Sequence, residues 1–508
     1  MFGKLLRAVF NQLTIVCLLL IAQILLFVYI MQGLYSEFLT VPLYLLSALI
    51  VIYIINKELN SDYKLAWIVP IILFPVFGGV FYLLLKLQRP TRKTEQRLQT
   101  VIEHSRQYIR QDPAILADIR SDSARRATSV RYINDFANYS IVGNTQTRYF
   151  PVGDDVWQPL LDALESARSY IFLEFFILHP GEFYNSILNV LKRKAAAGVD
   201  VRILYDSVGS ITTLPRYYAK DLAAFGIRCR EFNPFIPVLS VAQNNRDHRK
   251  IVVVDGKTAF NGGFNLADEY VNRELRFGHW KDSGVQLTGD AAYNFAVMFL
   301  QMWELSTQEA VDYGAFRPGR RTTKPADGFV LPYGDYPLDN ENVGEFVYLD
   351  MINSATDRLW LTTPYLIPDE ELVNALKFAN KRGVDVRVIV PGIPDKWYAY
   401  YVTEYYCAEL LEAGIRVYKY TPGFIHAKSM LCDDLLAVVG SINFDFRSLF
   451  LHYECATMFY KGDIIGAIRD DYEETFRVCR QIAPDEFKKD PVLKKLIRAG
   501  LRLLAPLM

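Results

Sequence analysis

Two short segments of the chain, HRKIVVVDG starting at His248 and HAKSMLCDD starting at His426, repeat one order of reactive residue types. In both, a lysine follows the histidine by two positions, at Lys250 and Lys428. The segments are rich in β-forming residues, and residues two apart on a strand project from the same face. We therefore predict that each His–Lys pair points into one space. One histidine can attack phosphorus, the other can protonate a leaving oxygen, and the ammonium groups stabilise negative charge, so the pattern favours phosphodiester chemistry without a metal or other cofactor.

Each motif is followed, after the same gap, by a short glycine-containing segment that ends in asparagine. These segments are GGFN at Gly262–Asn265 and GSIN at Gly440–Asn443. Glycine lets the backbone approach a ligand closely. Asn265 and Asn443 are therefore predicted to hydrogen-bond phosphate oxygens.

The elements that carry the motifs are themselves repeated along the chain. GVDVRILYD (Gly198–Asp206) closely matches GVDVRVIVP (Gly383–Pro391), and in each copy a helix pattern precedes a strand pattern. His426 follows His248 by 178 residues, which is nearly the distance that separates Gly383 from Gly198. We predict an α/β fold made of two duplicated lobes, related by a pseudo-twofold axis that brings both motifs to one cleft.

The N-terminal part of the sequence contains three apolar runs, Leu13–Ile30, Val41–Ile55 and Leu65–Leu85. A helix needs roughly 20 residues to cross a bilayer, so the second run is marginal and either two or three spans are possible. Five basic residues between Lys86 and Arg97 predict that the following chain faces the cytoplasm. The predicted division is a membrane-spanning region (1–90), a juxtamembrane linker (91–130), a first lobe (131–325) and a second lobe (326–508).

Composition narrows the classes of partner. Lysine plus arginine and aspartate plus glutamate both count 56, so no global basic field favours nucleic acid. The 6 cysteines contain no CxxC pair, which excludes a readable zinc knuckle or disulfide framework and fits a reducing compartment. A membrane-tethered nuclease is disfavoured by the neutral charge, and an inactive scaffold is disfavoured because both motifs are intact.

The paired HxKxxxxD motifs, with their downstream asparagines, resemble the phospholipase D superfamily over about residues 130–508. The resemblance implies the following site residues: His248, Lys250 and Asp255 with His426, Lys428 and Asp433 as the catalytic motifs, Asn265, Asn443 and Ser441 as phosphate ligands, and Asp282 and Glu454 as acids that orient the histidines. In the family the two motif aspartates are more often structural supports than reactants. Gly263 departs from the pattern, because the family usually has serine there.

Two further stretches, KLAWIVPIILFPVFGGVFYLLL and LIRAGLRLLAPLM, resemble the N-terminal and C-terminal regions of bacterial cardiolipin synthases. This implies phosphatidyl transfer between two phosphatidylglycerol molecules, giving cardiolipin and glycerol through a phosphatidyl-histidine on His248, with His426 as the acid. Hydrolysis, or transfer to another alcohol, is the alternative. The implied location is the inner (cytoplasmic) membrane, as a multi-pass protein, and a homo-oligomer is possible.

Several polar residues outside the motifs have more than one interpretation. Glu174 lies in an otherwise apolar predicted strand, so it needs a partner and could belong to the cleft. His179, His279 and His452 have no motif around them and are predicted to be structural or surface residues. The C-terminal pattern of basic and apolar residues predicts an amphipathic helix, which could bind an anionic leaflet or pack against the protein.

Overall fold

A computed structural model of the protein describes residues 37–57, 60–86, 90–235, 241–319, 328–339 and 341–507, together with residues 25, 28, 29 and 326. The predicted apolar run Leu13–Ile30 lies outside the described residues except at positions 25, 28 and 29. Among the described residues, six helices precede the first strand: Glu37–Ile55 (α1), Ser61–Leu73 (α2), Pro75–Lys86 (α3), Pro90–Arg106 (α4), Pro113–Asp122 (α5) and Ala124–Ala137 (α6).

Helices α1, α2 and α3 form a small hairpin-like unit with its own apolar contacts, centred on Ile54 and Ile71. The predicted single run Leu65–Leu85 is divided into two helices at Pro75. Proline disfavours helical geometry at the residue before it and is well suited to the first helical turn. Within the described part of the chain, no helix combines the length and the apolar character required to cross a bilayer.

The first lobe is a mixed seven-stranded sheet with helices on its faces. Its strands are Thr145–Phe150 (β1), Tyr170–Phe175 (β2), Asp200–Asp206 (β3), Arg228–Phe232 (β4), Lys250–Val254 (β5), Thr258–Gly262 (β6) and Gly284–Gly289 (β8), in the order β1-β8-β6-β5-β2-β3-β4. Its helices are Asp154–Glu165 (α7), Glu182–Ala196 (α8), Ser207–Ser210 (α9) and Tyr218–Ala223 (α10). Strands β2, β3 and β4 are parallel, whereas β5 pairs with β2 in the antiparallel direction.

The second lobe repeats this arrangement and adds one edge strand. Its strands are Phe329–Asp335 (β9), Arg358–Thr362 (β10), Asp385–Pro391 (β11), Arg416–Tyr420 (β12), Ser429–Cys432 (β14), Leu436–Gly440 (β15), Glu454–Tyr460 (β16) and Cys479–Gln481 (β17), in the order β17-β12-β11-β10-β14-β15-β16-β9. The helices from Ala291 onward are Ala291–Thr307 (α11), Val343–Ser354 (α12), Glu370–Lys381 (α13), Trp397–Glu412 (α14), Phe446–Phe450 (α15), Asp463–Val478 (α16) and Val492–Arg502 (α17).

Matching strands occupy matching places in the two sheets, so the predicted α/β fold of two duplicated lobes is confirmed. The predicted boundary at 325/326 falls between the last strand of the first sheet and β9. Helix α11 is almost wholly buried and belongs to an apolar core that continues into the second lobe. Two short strands, His279–Lys281 (β7) from the first lobe and Gly423–Ile425 (β13) from the second, pair in parallel and join the lobes directly.

Candidate active site

The two motif histidines lie where the lobes meet, each just before a central strand. The backbone N–H of His248 donates to the carbonyl of Tyr453 in the second lobe, at 2.9 Å. The N–H of His426 donates to the carbonyl of Lys281 in the first lobe, at 2.7 Å. Each histidine is therefore fixed by backbone contact with the opposite lobe.

The acids that orient the histidines are exchanged between the lobes. Glu454 of the second lobe holds Nδ1 of His248, with its Oε1 at 2.8 Å. Asp282 of the first lobe holds Nδ1 of His426, with its Oδ2 at 2.6 Å. Both carboxylates are fully buried. A carboxylate at Nδ1 fixes the tautomer that leaves Nε2 as the free nitrogen.

The motif lysines are buried beside the histidines, as their spacing predicts. Lys250 Nζ donates to the carbonyl oxygen of His248, and Lys428 Nζ donates to that of His426. Burial lowers the pKa of Lys250 to about 8 and that of Lys428 to about 7. A bound phosphodiester anion would favour the ammonium form of both residues.

Burial also controls the charge of the histidines and of one orienting acid. Desolvation, followed by the nearby lysine charges, holds the pKa of His248 and of His426 well below the usual value. The lowered pKa favours the neutral form of both rings, which a nucleophile requires. Burial raises the pKa of Asp282 to about 7, opposed mainly by Lys428. An anionic substrate offsets the lysine charges and so allows one histidine to hold the proton that a leaving group needs.

Of the predicted phosphate ligands, Ser441 already hydrogen-bonds to one of the orienting acids. Its hydroxyl donates to Oε2 of Glu454 and accepts from the backbone N–H of Cys455 at 3.0 Å. Ser441 therefore helps to hold the acid in place, and its predicted contact with the phosphate stays a prediction. At the equivalent position of the first lobe, a Cβ on Gly263 would lie 2.1 Å from Oδ1 of Asp282. The acid itself fills the space that serine would need.

The two asparagines differ in whether the side-chain amide oxygen already accepts a hydrogen bond within the protein. Asn265 accepts from the backbone N–H of Ile177 at 3.0 Å and donates to the hydroxyl of Tyr270 at 2.7 Å. Asn443 is equally buried, and its Oδ1 has no hydrogen-bond partner among the described residues. Phosphate binding by Asn265 and Asn443 stays a prediction.

The motif aspartates, predicted as part of the catalytic set, support the backbone instead. Asp255 accepts from the N–H groups of Arg168, Ser169 and Tyr170 at 2.8–3.0 Å. Asp433 accepts in the same way from residues 356–358. Strand β5 separates Asp255 from His248 and β14 separates Asp433 from His426, so neither reaches the reacting atoms. These contacts support the structural role that the family resemblance favours for both aspartates, and a catalytic role for either stays a prediction.

The two motif histidines have different aromatic neighbours. His426 is surrounded by the rings of Tyr270, Trp280 and Phe424, with centroids 5.3–5.8 Å away. His248 instead meets Phe176 at 5.1 Å and His452 at 5.5 Å. His452 was predicted to be a structural or surface residue. It is buried at the site, and neither ring nitrogen has a hydrogen-bond partner among the described residues.

In the part of the chain that the structure describes, two groups of side chains have the composition of metal ligands. Ligand atoms of His248, His452 and Glu454 lie within 4.8 Å of one another, as do those of a separate group, Glu345, Asp369 and Glu371. In the first group, His248 and Glu454 already form a hydrogen bond with each other. The prediction that no metal is required stays a prediction.

A buried polar network beneath His248 was only partly predicted. Arg249 is fully buried, donates to the carbonyl of Glu454 at 3.0 Å and stacks on Tyr336. Its Nη1 lies 3.9 Å from Oε1 of Glu174, the acid that was predicted from the sequence to need a partner. Burial and the neighbouring Asp247 raise the pKa of Glu174 well above its usual value. The alternation of the strand could have revealed Arg249, because its neighbours at 248 and 250 point to the opposite face.

A neutral, oriented histidine, a second histidine able to carry a proton, and two lysines form a cage for one phosphodiester. Together with the duplicated lobes, this arrangement defines an enzyme of the phospholipase D type. The sequence matches the family described as "Cardiolipin synthase, PLD-like domain" over residues 160–303 and 348–476, and "Phospholipase D-nuclease N-terminal" over residues 45–86. The chain belongs to the phospholipase D-like cardiolipin synthase family.

Individual relatives span nearly the whole chain. An uncharacterized protein of Streptococcus mutans is 40% identical over 90% of this chain and 99% of its own length. A cardiolipin synthase of Halalkalibacterium halodurans is 31% identical over 94% of both chains, and cardiolipin synthase 2 of Bacillus anthracis is 32% identical over 90% of this chain and 89% of its own. A phosphatidylserine synthase structure from Haemophilus influenzae shares the fold, with a TM-score of 0.57 at 13% identity over 75% of this chain and 97% of that one.

Proposed function

We propose that this protein is a cardiolipin synthase that transfers a phosphatidyl group from one phosphatidylglycerol to another and releases glycerol. The observation that carries the proposal is the pair of buried motif histidines, each oriented by an acid of the other lobe and each beside a lysine. The site supports phosphodiester transfer in general. The similarity to curated cardiolipin synthases over about nine-tenths of the chain supports this particular pair of substrates.

In the first step, Nε2 of His248 attacks the phosphorus of phosphatidylglycerol and the bond from phosphorus to the glycerol oxygen breaks. His426 gives its proton to that oxygen, and glycerol leaves. In the second step, His426 takes the proton from a hydroxyl of a second phosphatidylglycerol, whose oxygen attacks phosphorus. The bond to His248 then breaks, releasing cardiolipin. Lys250 and Lys428 stabilise the negative charge in both transition states.

Water competes with the lipid acceptor in the second step and is present at tens of molar. Held reactants can reach effective molarities of roughly 10⁵ M or more, which is enough to exceed that concentration. The aromatic wall of Tyr270, Trp280 and Phe424 around His426 favours transfer, because it limits the room for water beside the residue that activates the acceptor. The alternative functions, a phospholipase D hydrolase or a transferase that uses another alcohol, differ at this step alone.

The test is the product balance of the purified full-length enzyme in phosphatidylglycerol vesicles containing a chelator and no nucleotide. We expect cardiolipin and free glycerol in equal amounts, little phosphatidic acid, and reversal by added glycerol, since one phosphodiester replaces another. His248→Ala serves as the control for background turnover. Phosphatidic acid as the main product would support the hydrolase, and a requirement for an added alcohol would support the other transferase.

We further propose that the enzyme is an integral protein of the inner membrane, with its catalytic lobes in the cytoplasm. Many large apolar side chains of α1 and α2 are exposed, including Leu45, Leu49 and Ile72, and the basic residues between Lys86 and Arg97 begin at the end of α3. The test is cysteine accessibility from each side of the membrane in intact cells. Labelling of lobe residues from outside would contradict the orientation, and a reporter fused at Glu37 tests whether the preceding segment crosses.

A further inference from the structure

The C-terminal helix α17 (Val492–Arg502) packs with its charged side against the protein. Arg498 is buried and forms ion pairs with Glu404 of α14 and, at 2.5 Å, with Asp490. Lys494 lies 3.2 Å from the same Glu404. Arg502 donates to the hydroxyl of Tyr405 at 2.9 Å. Three of the basic residues of this helix are thus used for attachment to the second lobe.

The opposite side of α17 is apolar and exposed. Val492 is 72% exposed, Leu493 is 69% exposed and Leu496 is 63% exposed. At 100° per residue, these positions lie on the side opposite Lys494 and Arg498. An amphipathic helix on a soluble surface normally buries its apolar side and exposes its charged side. This helix has the reverse arrangement, so its outer surface is suited to a non-aqueous environment.

The N-terminal helices and an exposed tryptophan lie in the same region of the molecule as α17. Helix α2 packs against the turn Ala505–Leu507, which directly follows α17. Asn60, at the start of α2, donates to Asp369 of the second lobe at 3.0 Å. Helix α14, on which α17 packs, begins at Trp397, which is 64% exposed. Tryptophan is enriched at the membrane–water interface.

We propose that α17 is an interfacial anchor that inserts its apolar side, led by Leu493 and Leu496, into the bilayer beside the N-terminal helices. The inference rests on the membrane association proposed above and adds the surface that contacts lipid. A basic helix that binds an anionic leaflet would present its charges to the membrane, whereas Lys494, Arg498 and Arg502 of α17 contact the protein. Insertion by the apolar side should therefore occur in neutral lipid as well.

The direct test uses the full-length protein with a photoreactive p-benzoylphenylalanine in place of Leu496, reconstituted in vesicles of radiolabelled phosphatidylcholine alone. The matched control carries the same group in place of Phe225, which is 47% exposed on the first lobe. We expect several-fold more lipid adduct at position 496. A crosslinked dimer would mean that a second copy covers this side, and an adduct with residues 1–36 would mean that the chain's own N-terminal segment does. Either outcome, or equal lipid labelling at the two positions, would overturn the proposal.

A second measurement separates insertion from catalysis. The variant Leu493→Glu with Leu496→Glu changes net charge by the same amount as Lys495→Glu, its control. We expect the double variant to lose most turnover of vesicle phosphatidylglycerol but to keep turnover of a dispersed short-chain phosphatidylglycerol, whereas the control keeps both. Equal loss on the two substrates would contradict an interfacial role. Failure of the reaction itself would instead appear in the wild type as the wrong products.

Discussion

The exchange of acids between the lobes leads to a prediction about Glu454, which lies in the second lobe but serves His248 in the first. Its Oε1 is 2.8 Å from Nδ1 of His248, and the carboxylate is fully buried. A hydrogen bond to a charged group contributes about 1.5–3 kcal/mol. Each 1.4 kcal/mol is about a tenfold change in rate, so Glu454→Gln should slow the step that uses His248 by about 10- to 150-fold. Asp282→Asn is the matched variant, because it makes the same change at His426.

The assay compares two substrates in a single turnover. Phosphatidylglycerol needs a proton for its leaving glycerol, whereas phosphatidyl-p-nitrophenol has a leaving group that needs none. If His248 is the nucleophile, Glu454→Gln should slow the burst of p-nitrophenol and of glycerol alike. Asp282→Asn should slow glycerol release but leave the p-nitrophenol burst near that of the wild type, because only the acid is affected.

The identity of the nucleophile is determined separately by trapping the phosphatidyl adduct and mapping the labelled peptide. Label on the peptide containing His426 would reverse the two histidine roles. With His248 labelled, a p-nitrophenol burst that is slow in Asp282→Asn and normal in Glu454→Gln would refute the exchange of acids between the lobes.

Three further predictions concern the lysines, the motif aspartates and the glycine beside Asp282. Because the ammonium form of Lys428 is lost as pH rises through about 7, kcat/KM should fall above neutral pH. Lys428→Arg should move that decline to higher pH in a pH profile, whatever the absolute rate of the variant. Asp255→Ala leaves three backbone N–H groups without their acceptor, so it should reduce the free energy of unfolding, measured in urea, by about 3 kcal/mol. The folded fraction should keep its single-turnover rate. An unchanged stability together with a lost rate would mean that Asp255 takes part in the reaction. Gly263→Ala places a methyl group against Asp282, so it should reproduce the leaving-group dependence of Asp282→Asn, and normal glycerol release would argue against the close approach.

Local patterns in the sequence were sufficient to predict the repeated units of the fold. Alternation of strand and helix patterns, together with the matching segments at Gly198 and Gly383, predicted two equivalent lobes, because each unit buries its apolar faces within a short stretch of chain. The spacing of His248 and Lys250 predicted that both side chains enter one space, because successive residues of a strand alternate between faces.

Features that depend on contacts between distant segments were not predictable in the same way. The sequence identified Asp282 and Glu454 as orienting acids but gave no means of deciding which histidine each one serves, since the choice depends on how the lobes dock. The role of Ser441 depends on Glu454 being within reach of its hydroxyl. The side that α17 presents to solvent depends on Glu404, nearly a hundred residues earlier, which attracts Arg498 and Lys494.

The parallel pairing of β7 with β13, and the acids that cross between the lobes, have a consequence for the order of events during synthesis. When the first lobe leaves the ribosome, His248 lacks both Glu454 and the backbone carbonyl of Tyr453, because neither has yet been translated. His426 in turn depends on a lobe that is already complete. His248 therefore lacks the contacts that orient it until translation has passed residue 454 and the lobes have docked, and the phosphatidyl transfer proposed above can begin only then.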